Sequence, residues 1–131
     1  MEKKHFNPDG LWKPPIYTQV ITTRGGALVT IAGQTAYDEE GKIADPTNLE
    51  AQIEKAYSNV EVALKAAGAG WSDVVKMVSY VVGYQPAHRT LVSQVRSRFF
   101  NGTPPATTLI GVQSLALPEV LYEVDVTAVI E

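Results

Sequence analysis

The stretch LYEVDVTAVI at residues 121–130 decides how this chain folds. Every second position is apolar, in the order Tyr122, Val124, Val126, Ala128 and Ile130. Strict alternation over ten residues is typical of a strand that packs one face on a core. The two acids Glu123 and Asp125 fall on the opposite face. The segment therefore predicts a strand with two carboxylates on its second face.

Two amphipathic helices are predicted before this strand. The first begins near Thr47 and Glu50, which have the spacing of a capping box. Apolar residues then recur at three- and four-residue steps until glycines at 68 and 70 end the pattern. The second helix begins at Pro86, a residue tolerated in the first turn, and runs to about residue 101.

Four further segments are rich in β-branched and aromatic residues and are predicted as strands: 16–23, 27–32, 74–84 and 106–112. Gly25 and Gly26 predict a tight turn that joins the first two as a hairpin. Prolines and a glycine make residues 1–15 an extended N-terminal segment. The order is β-β-α-β-α-β-β. We expect one α+β domain over residues 1–131, with a mixed sheet and two helices on one face.

One face of this sheet stays uncovered, because two helices can cover only one. Apolar residues nevertheless occur on both faces of the strands: Val78, Tyr80, Val82, Leu109, Val124 and Val126. An uncovered apolar face favours association with further copies of the chain. The residues predict an oligomer without giving the number of subunits.

Composition excludes several classes of protein. The 131 residues contain no cysteine, so disulfides and thiol nucleophiles are excluded. No apolar run follows the first lysines, and none approaches the roughly 20 residues that span a bilayer. We expect a cytoplasmic protein that does not insert into a membrane.

Charge argues against a nucleic-acid partner. The net charge is −3 and the pI is about 5.4, whereas nucleic-acid binders usually present a basic surface. The one basic cluster, Arg89, Arg96 and Arg98, is interpreted as a solvated helix face, with an RNA contact as the alternative. His5 and His88 lack partners at metal-ligand spacing, so neither a metal nor a cofactor is expected.

Two features allow a functional interpretation. Glu123 lies on a strand rich in Val and Tyr, and at an apolar subunit boundary its pKa would rise, so that it could act on water. The alternative is a solvent-exposed face. Gly33 ends a buried strand, where glycine permits close approach of a ligand, although a bend or bulge explains it equally well.

From about Tyr17 onward the chain resembles the Rid (reactive intermediate deaminase, YjgF-type) family. The matching stretches are 32–34 with Asp38 and Gly41, Gln52, 59–60 with 64–68, 73–76 with Tyr80, 99–100, 105–106 and 121–128. The resemblance implies a chorismate-mutase-like fold and a homotrimer with small-molecule sites between its subunits. It also implies hydrolysis of enamines or imines to a keto acid and ammonia. Tyr17 and Gly33 match substrate-binding positions, and Glu123 matches the acid that handles water.

One site position departs from the family pattern. Thr107 follows Pro105-Ala106, where the family has an arginine that binds the substrate carboxylate. Threonine cannot replace a charged, bidentate fork, so we expect poor hydrolysis of 2-imino acids and a changed substrate. Whether another basic residue replaces it stays open. The alternatives are a non-catalytic ligand-binding or regulatory trimer, and an endoribonuclease.

Overall fold

Six strands, two helices and one short 3-10 turn form the computed structural model, which describes residues 1–131. In chain order they are β1 (Glu2–Phe6), β2 (Val20–Arg24), β3 (Ala27–Gln34), α1 (Leu49–Ala66), the 3-10 turn Trp71–Asp73, β4 (Val74–Val82), α2 (Pro86–Ser97), β5 (Ala106–Val112) and β6 (Tyr122–Ile130). The order of the last seven helices and strands is the predicted one. Strand β1 is additional.

The main sheet has the strand order β3-β6-β4-β5. Strand β6 pairs antiparallel with β3 and β4, while β4 and β5 run parallel. The parallel pair needs a crossover, and α2 supplies it. The mixed sheet of the α+β class is thus confirmed, with β6 and β4 as its central strands.

Alternation along β6 separates the core from the second face of the sheet. Its apolar positions are fully buried, namely Tyr122, Val124, Val126 and Ala128. Helix α1 packs on them through Ile53, Tyr57 and Val60, and α2 adds Val92 and Val95. Both helices therefore lie on one face, as the alternation predicts.

Helix α1 confirms the apolar stripe but corrects its cap. The N-cap is Asn48, whose Oδ1 accepts a hydrogen bond from the amide of Ala51 at 3.0 Å. The predicted capping box of Thr47 with Glu50 is wrong, because the N-cap lies one residue further along, at Asn48, and the capped amide is that of Ala51. The helix ends before Gly68, which has φ of 75°.

The predicted hairpin of β2 with β3 is wrong. Strand β2 pairs with β1, from Glu2 opposite Arg24 to Phe6 opposite Val20, and β3 pairs with β6. The turn residues Gly25 and Gly26 both have positive φ, as expected, but Gly26 lies against the carbonyl oxygen of Ile130. At this contact the chain passes to the end of β6, so that β3 continues beside β6 and not beside β2.

The second face of the main sheet carries no helix. On this face the paired positions include Tyr80 opposite Glu123 and Val78 opposite Asp125. Leu28 on β3 and Ile110 on β5 are 69% and 38% exposed. The face that was expected to be uncovered is therefore open in a single chain. Neither helix of the protein has the length and apolar character to cross a membrane.

Candidate functional site

A small pocket lies between α2, the start of β5 and the segment that precedes β2. It encloses about 110 Å³. Its walls are Ile16, Tyr17, Ser79, Arg89, Val92, Ser93, Arg96, Thr107 and Leu109. Two of these residues, Tyr17 and Thr107, are predicted substrate-binding positions. The pocket contains no acidic side chain.

The segment that carries Tyr17 is fixed to the entrance of β5. Thr18 is 4% exposed, its amide donates to Pro105 O at 3.1 Å, and its hydroxyl donates to Pro104 O at 2.5 Å. Arg96 of α2 donates to Ile16 O at 2.7 Å. These contacts place the Tyr17 ring at one wall of the pocket.

Thr107 reaches the pocket because of its register in the sheet. It is paired with Met77, and Leu109 is paired with Ser79, in the parallel ladder of β4 and β5. Paired residues point to the same side of a sheet, so Thr107 and Leu109 lie on the helix-covered face with Met77. The Thr107 hydroxyl donates to Pro105 O at 3.2 Å.

Glu123 and Gly33 meet on the opposite face of the sheet. A Cβ atom built on Gly33 would lie 2.3 Å from Glu123 Oε2 and 2.9 Å from Asp125 Oδ1. A side chain at position 33 would therefore displace the Glu123 carboxylate. The β3–β6 register also shifts between Ile31 and Gln34, so the bulge interpretation of Gly33 applies as well.

The environment of Glu123 changes its acidity. Partial burial raises the pKa of Glu123 above its usual value, and the neighbouring carboxylate of Asp125 raises it further. Asp125 accepts a hydrogen bond from the Tyr80 hydroxyl at 3.0 Å, and this bond raises the pKa of Tyr80. Glu123 has no such donor, so it is the carboxyl of the pair that is better suited to hold a proton.

The predicted site residues thus form two separate pairs. Tyr17 and Thr107 line the pocket beside α2, whereas Gly33 and Glu123 lie on the face without helices. The thickness of the sheet separates the pairs within one chain.

Sequence reasoning grouped three arginines that the structure separates. Arg98 pairs with Glu50 at 2.7 Å and with Glu54 at 3.5 Å on α1. Arg89 and Arg96 instead line the pocket and form no ion pair. Their seven-residue spacing, two helical turns, is the signal that could have placed them on one side of α2. Arg89 and Arg98 are exposed, as a solvated face implies, but Arg96 is half-buried and the three arginines do not share one set of contacts.

A chain of buried hydroxyls begins at the pocket floor. Ser79 Oγ lies 2.7 Å from the Tyr122 hydroxyl, which donates to the Tyr57 hydroxyl at 3.2 Å. Burial raises the pKa of both tyrosines, while the positive charge of Arg96 acts in the opposite direction. Arg96 and Ser79 line the same pocket, so the chain of hydroxyls begins in the cavity that Arg96 borders.

The histidines take no part in this site. His88 Nδ1 accepts a hydrogen bond from the amide of Gln85 at the start of α2, 3.0 Å away. No group of three or more His, Cys, Asp or Glu side chains is placed to hold a metal ion.

Fold and pocket define a small α+β domain with a mainly apolar cleft beside its second helix, bordered by two arginines. The family model described as endoribonuclease L-PSP matches residues 14–130. A RutC family protein of Synechocystis is 30% identical over 116 residues, which are 87% of this chain and 85% of that protein. The chain therefore belongs to the endoribonuclease L-PSP family, among whose members are the Rid, RutC and YjgF proteins.

Two solved structures show how far the likeness extends. The Rid family protein YyfB of Yersinia pestis has a TM-score of 0.90 and 32% identity, with 99% of this chain and 100% of that chain covered. The YjgF protein of Escherichia coli has a TM-score of 0.68 and 25% identity, with 82% and 84% covered. The Rid resemblance predicted from the residues is confirmed.

Proposed function

We propose that this protein is a hydrolase of small imine or enamine substrates that works as a homotrimer with sites between its subunits. The observation that carries the proposal is the division of the site residues between two faces of the sheet. Tyr17 and Thr107 can share a ligand with Glu123 and Gly33 only if the two pairs come from different chains. The uncovered face, with exposed Leu28 and Ile110, supports such an assembly.

Glu123 is the proposed acid–base group. As the oxygen of water adds to the imine carbon, the Glu123 carboxylate takes a proton from it and gives this proton to the imine nitrogen, so that a carbinolamine forms. Glu123 then takes the hydroxyl proton of the carbinolamine and gives it to the same nitrogen. The C=O bond forms as the C–N bond breaks, and ammonia leaves a carbonyl product. A carboxyl whose pKa is raised above its usual value is suited to these transfers. Gly33 leaves room for the carboxylate in this position.

The substrate is held differently from that of Rid members with an arginine on β5. Thr107 offers a hydroxyl whose hydrogen already bonds to Pro105 O. The same substitution favours the second candidate, a trimer that binds a ligand without turnover. The family description supplies a third activity, RNA cleavage, which the net charge of −3 disfavours.

The test is hydrolysis of imines that an amino-acid oxidase generates in the presence of semicarbazide. We expect at least one imine of the panel to be hydrolysed at least about tenfold faster than in buffer, which lowers the yield of its semicarbazone, since an acid–base group contributes 10²–10⁴-fold. Boiled protein is the control. Unchanged semicarbazone yields over a panel of imines, with ligand-induced stabilisation of the fold, would favour the binding trimer instead. Cleavage of RNA by a clean preparation would favour the ribonuclease.

A further inference from the structure

Within one chain, the pocket beside α2 is lined by two arginines and by no acidic side chain. Arg89 and Arg96 are its only charged walls, and neither has a carboxylate within ion-pair distance. Arg98, two residues further along, has both Glu50 and Glu54. Arg89 is exposed and Arg96 is half-buried, and an anion bound in the cleft is attracted by both guanidinium groups.

Arg96 is held in place with donors to spare. Its Nη2 donates to Ile16 O at 2.7 Å, which uses one of the five N–H groups of a guanidinium. It lines the pocket together with Ser79, whose hydroxyl is hydrogen-bonded to the buried Tyr122. Arg89 stands at the more open side, where it also borders the adjoining groove. The two arginines therefore line one cavity from two positions along α2.

No other side chain of the pocket carries a charge, and its further donors are the neutral hydroxyls of Tyr17, Ser79, Ser93 and Thr107. The Thr107 hydroxyl donates to Pro105 O, and the Ser79 hydroxyl is bonded to Tyr122. A volume of about 110 Å³ is smaller than a cavity of 150 Å³ that holds benzene, with its six heavy atoms, so the pocket encloses roughly four or five heavy atoms of a ligand. A carboxylate of that size leaves a short apolar part for Val92 and Leu109.

We propose that Arg89 and Arg96 form a binding site for a small monocarboxylate, with the anionic group held from helix α2 and not from strand β5. The inference rests on the proposed function in one respect, because it assigns the carboxylate of the substrate to this pocket. It also revises the expectation of poor 2-imino acid hydrolysis, since two guanidinium groups replace the charge that Thr107 lacks.

Equilibrium binding of pyruvate, measured by ligand-observed NMR on the intact protein, tests the site without requiring turnover. Pyruvamide serves as the uncharged analogue. We expect Arg89→Gln and Arg96→Gln to weaken pyruvate binding by at least about tenfold each, since hydrogen bonds to charged groups are the strong ones. Arg98→Gln, on the same helix but paired with α1, should bind as the wild type does. Because Arg96 also bonds to Ile16 O, Arg96→Lys keeps the charge and should bind more tightly than Arg96→Gln.

Several results would overturn the assignment. They are equal affinity in the wild type, Arg89→Gln and Arg96→Gln, equal affinity for pyruvate and pyruvamide, or tighter binding of inorganic phosphate than of pyruvate. Different results would refute the proposed function. Pyruvate binding that depends on both arginines, without imine hydrolysis, would refute the hydrolase and leave the carboxylate site in place. Imine hydrolysis together with pyruvate binding that depends on neither arginine would refute the carboxylate site and leave the proposed hydrolase in place.

Discussion

Replacing Glu123 by glutamine is expected to lower kcat/KM for imine hydrolysis by about 100-fold or more. Glutamine keeps the size of the side chain but cannot take a proton from water and return it to nitrogen, and such transfers contribute 10²–10⁴-fold. Glu39→Gln is the matched control, because Glu39 is an exposed glutamate in the loop after β3. Unchanged turnover in Glu123→Gln would exclude Glu123 as the acid–base group.

The Glu123→Gln variant should remain folded, and the difference between its stability and that of the wild type should depend on pH. The pKa of Glu123 is raised in the folded chain, so the folded state binds this proton more tightly than the unfolded state. The Glu123 side chain therefore contributes least to the stability of the wild type at pH values above its raised pKa, where it is ionised. We expect the melting temperature of Glu123→Gln to equal or exceed that of the wild type at neutral pH. This advantage should shrink as the pH falls through the raised pKa towards 4.5, the ordinary value, and should be absent below 4.5.

Gln52→Leu is expected to lower the free energy of unfolding by about 2–4 kcal/mol. Gln52 is fully buried on α1. Its Nε2 donates to Glu119 O at 2.8 Å and to Asp45 O at 3.3 Å, and its Oε1 accepts from Leu121 N at 2.8 Å. Leucine fills a similar volume and leaves these backbone groups without their partner. Urea denaturation measures the change.

The matched control for this substitution is Gln94→Leu, an exposed position on α2. Its effect should stay within about 0.5 kcal/mol, as for most surface substitutions. A loss in Gln52→Leu no larger than that in Gln94→Leu would mean that the three hydrogen bonds do not hold the start of β6 against α1.

Local sequence patterns predicted the helices and strands whose pattern of apolar residues is complete within the segment itself. The apolar period of α1 and the alternation of β6 are complete within each segment, so both elements are where the sequence places them, within a residue or two. Strand β1 has no such signal, because EKKHF carries four charged or polar residues and is a strand only through its partner β2. The hairpin error has the same cause, since the choice of β6 as the partner of β3 depends on a residue more than 90 positions away.

The candidate site could also be predicted only in part from the sequence. Resemblance supplied Tyr17, Gly33, Thr107 and Glu123, but the face on which each lies depends on strand register, which no local pattern contains. The arginines were visible as residues of α2. That Arg98 meets Glu50 while Arg96 meets the carbonyl of Ile16 depends on how three distant segments pack. Only the three-dimensional arrangement identifies the pocket as positively charged.

The most direct test of a site shared between chains is a mixture of two inactive variants. Glu123→Gln removes the acid from one half of the site, and Thr107→Phe fills the pocket in the other half. After the two are denatured and refolded together in equal amounts, random assembly makes about a quarter of the sites intact, because each half comes from a different chain. We predict that the mixture recovers about a quarter of wild-type imine hydrolysis. If refolded wild type regains its activity and the mixture shows only the sum of its two components, the two halves do not meet across subunits and the central claim is wrong.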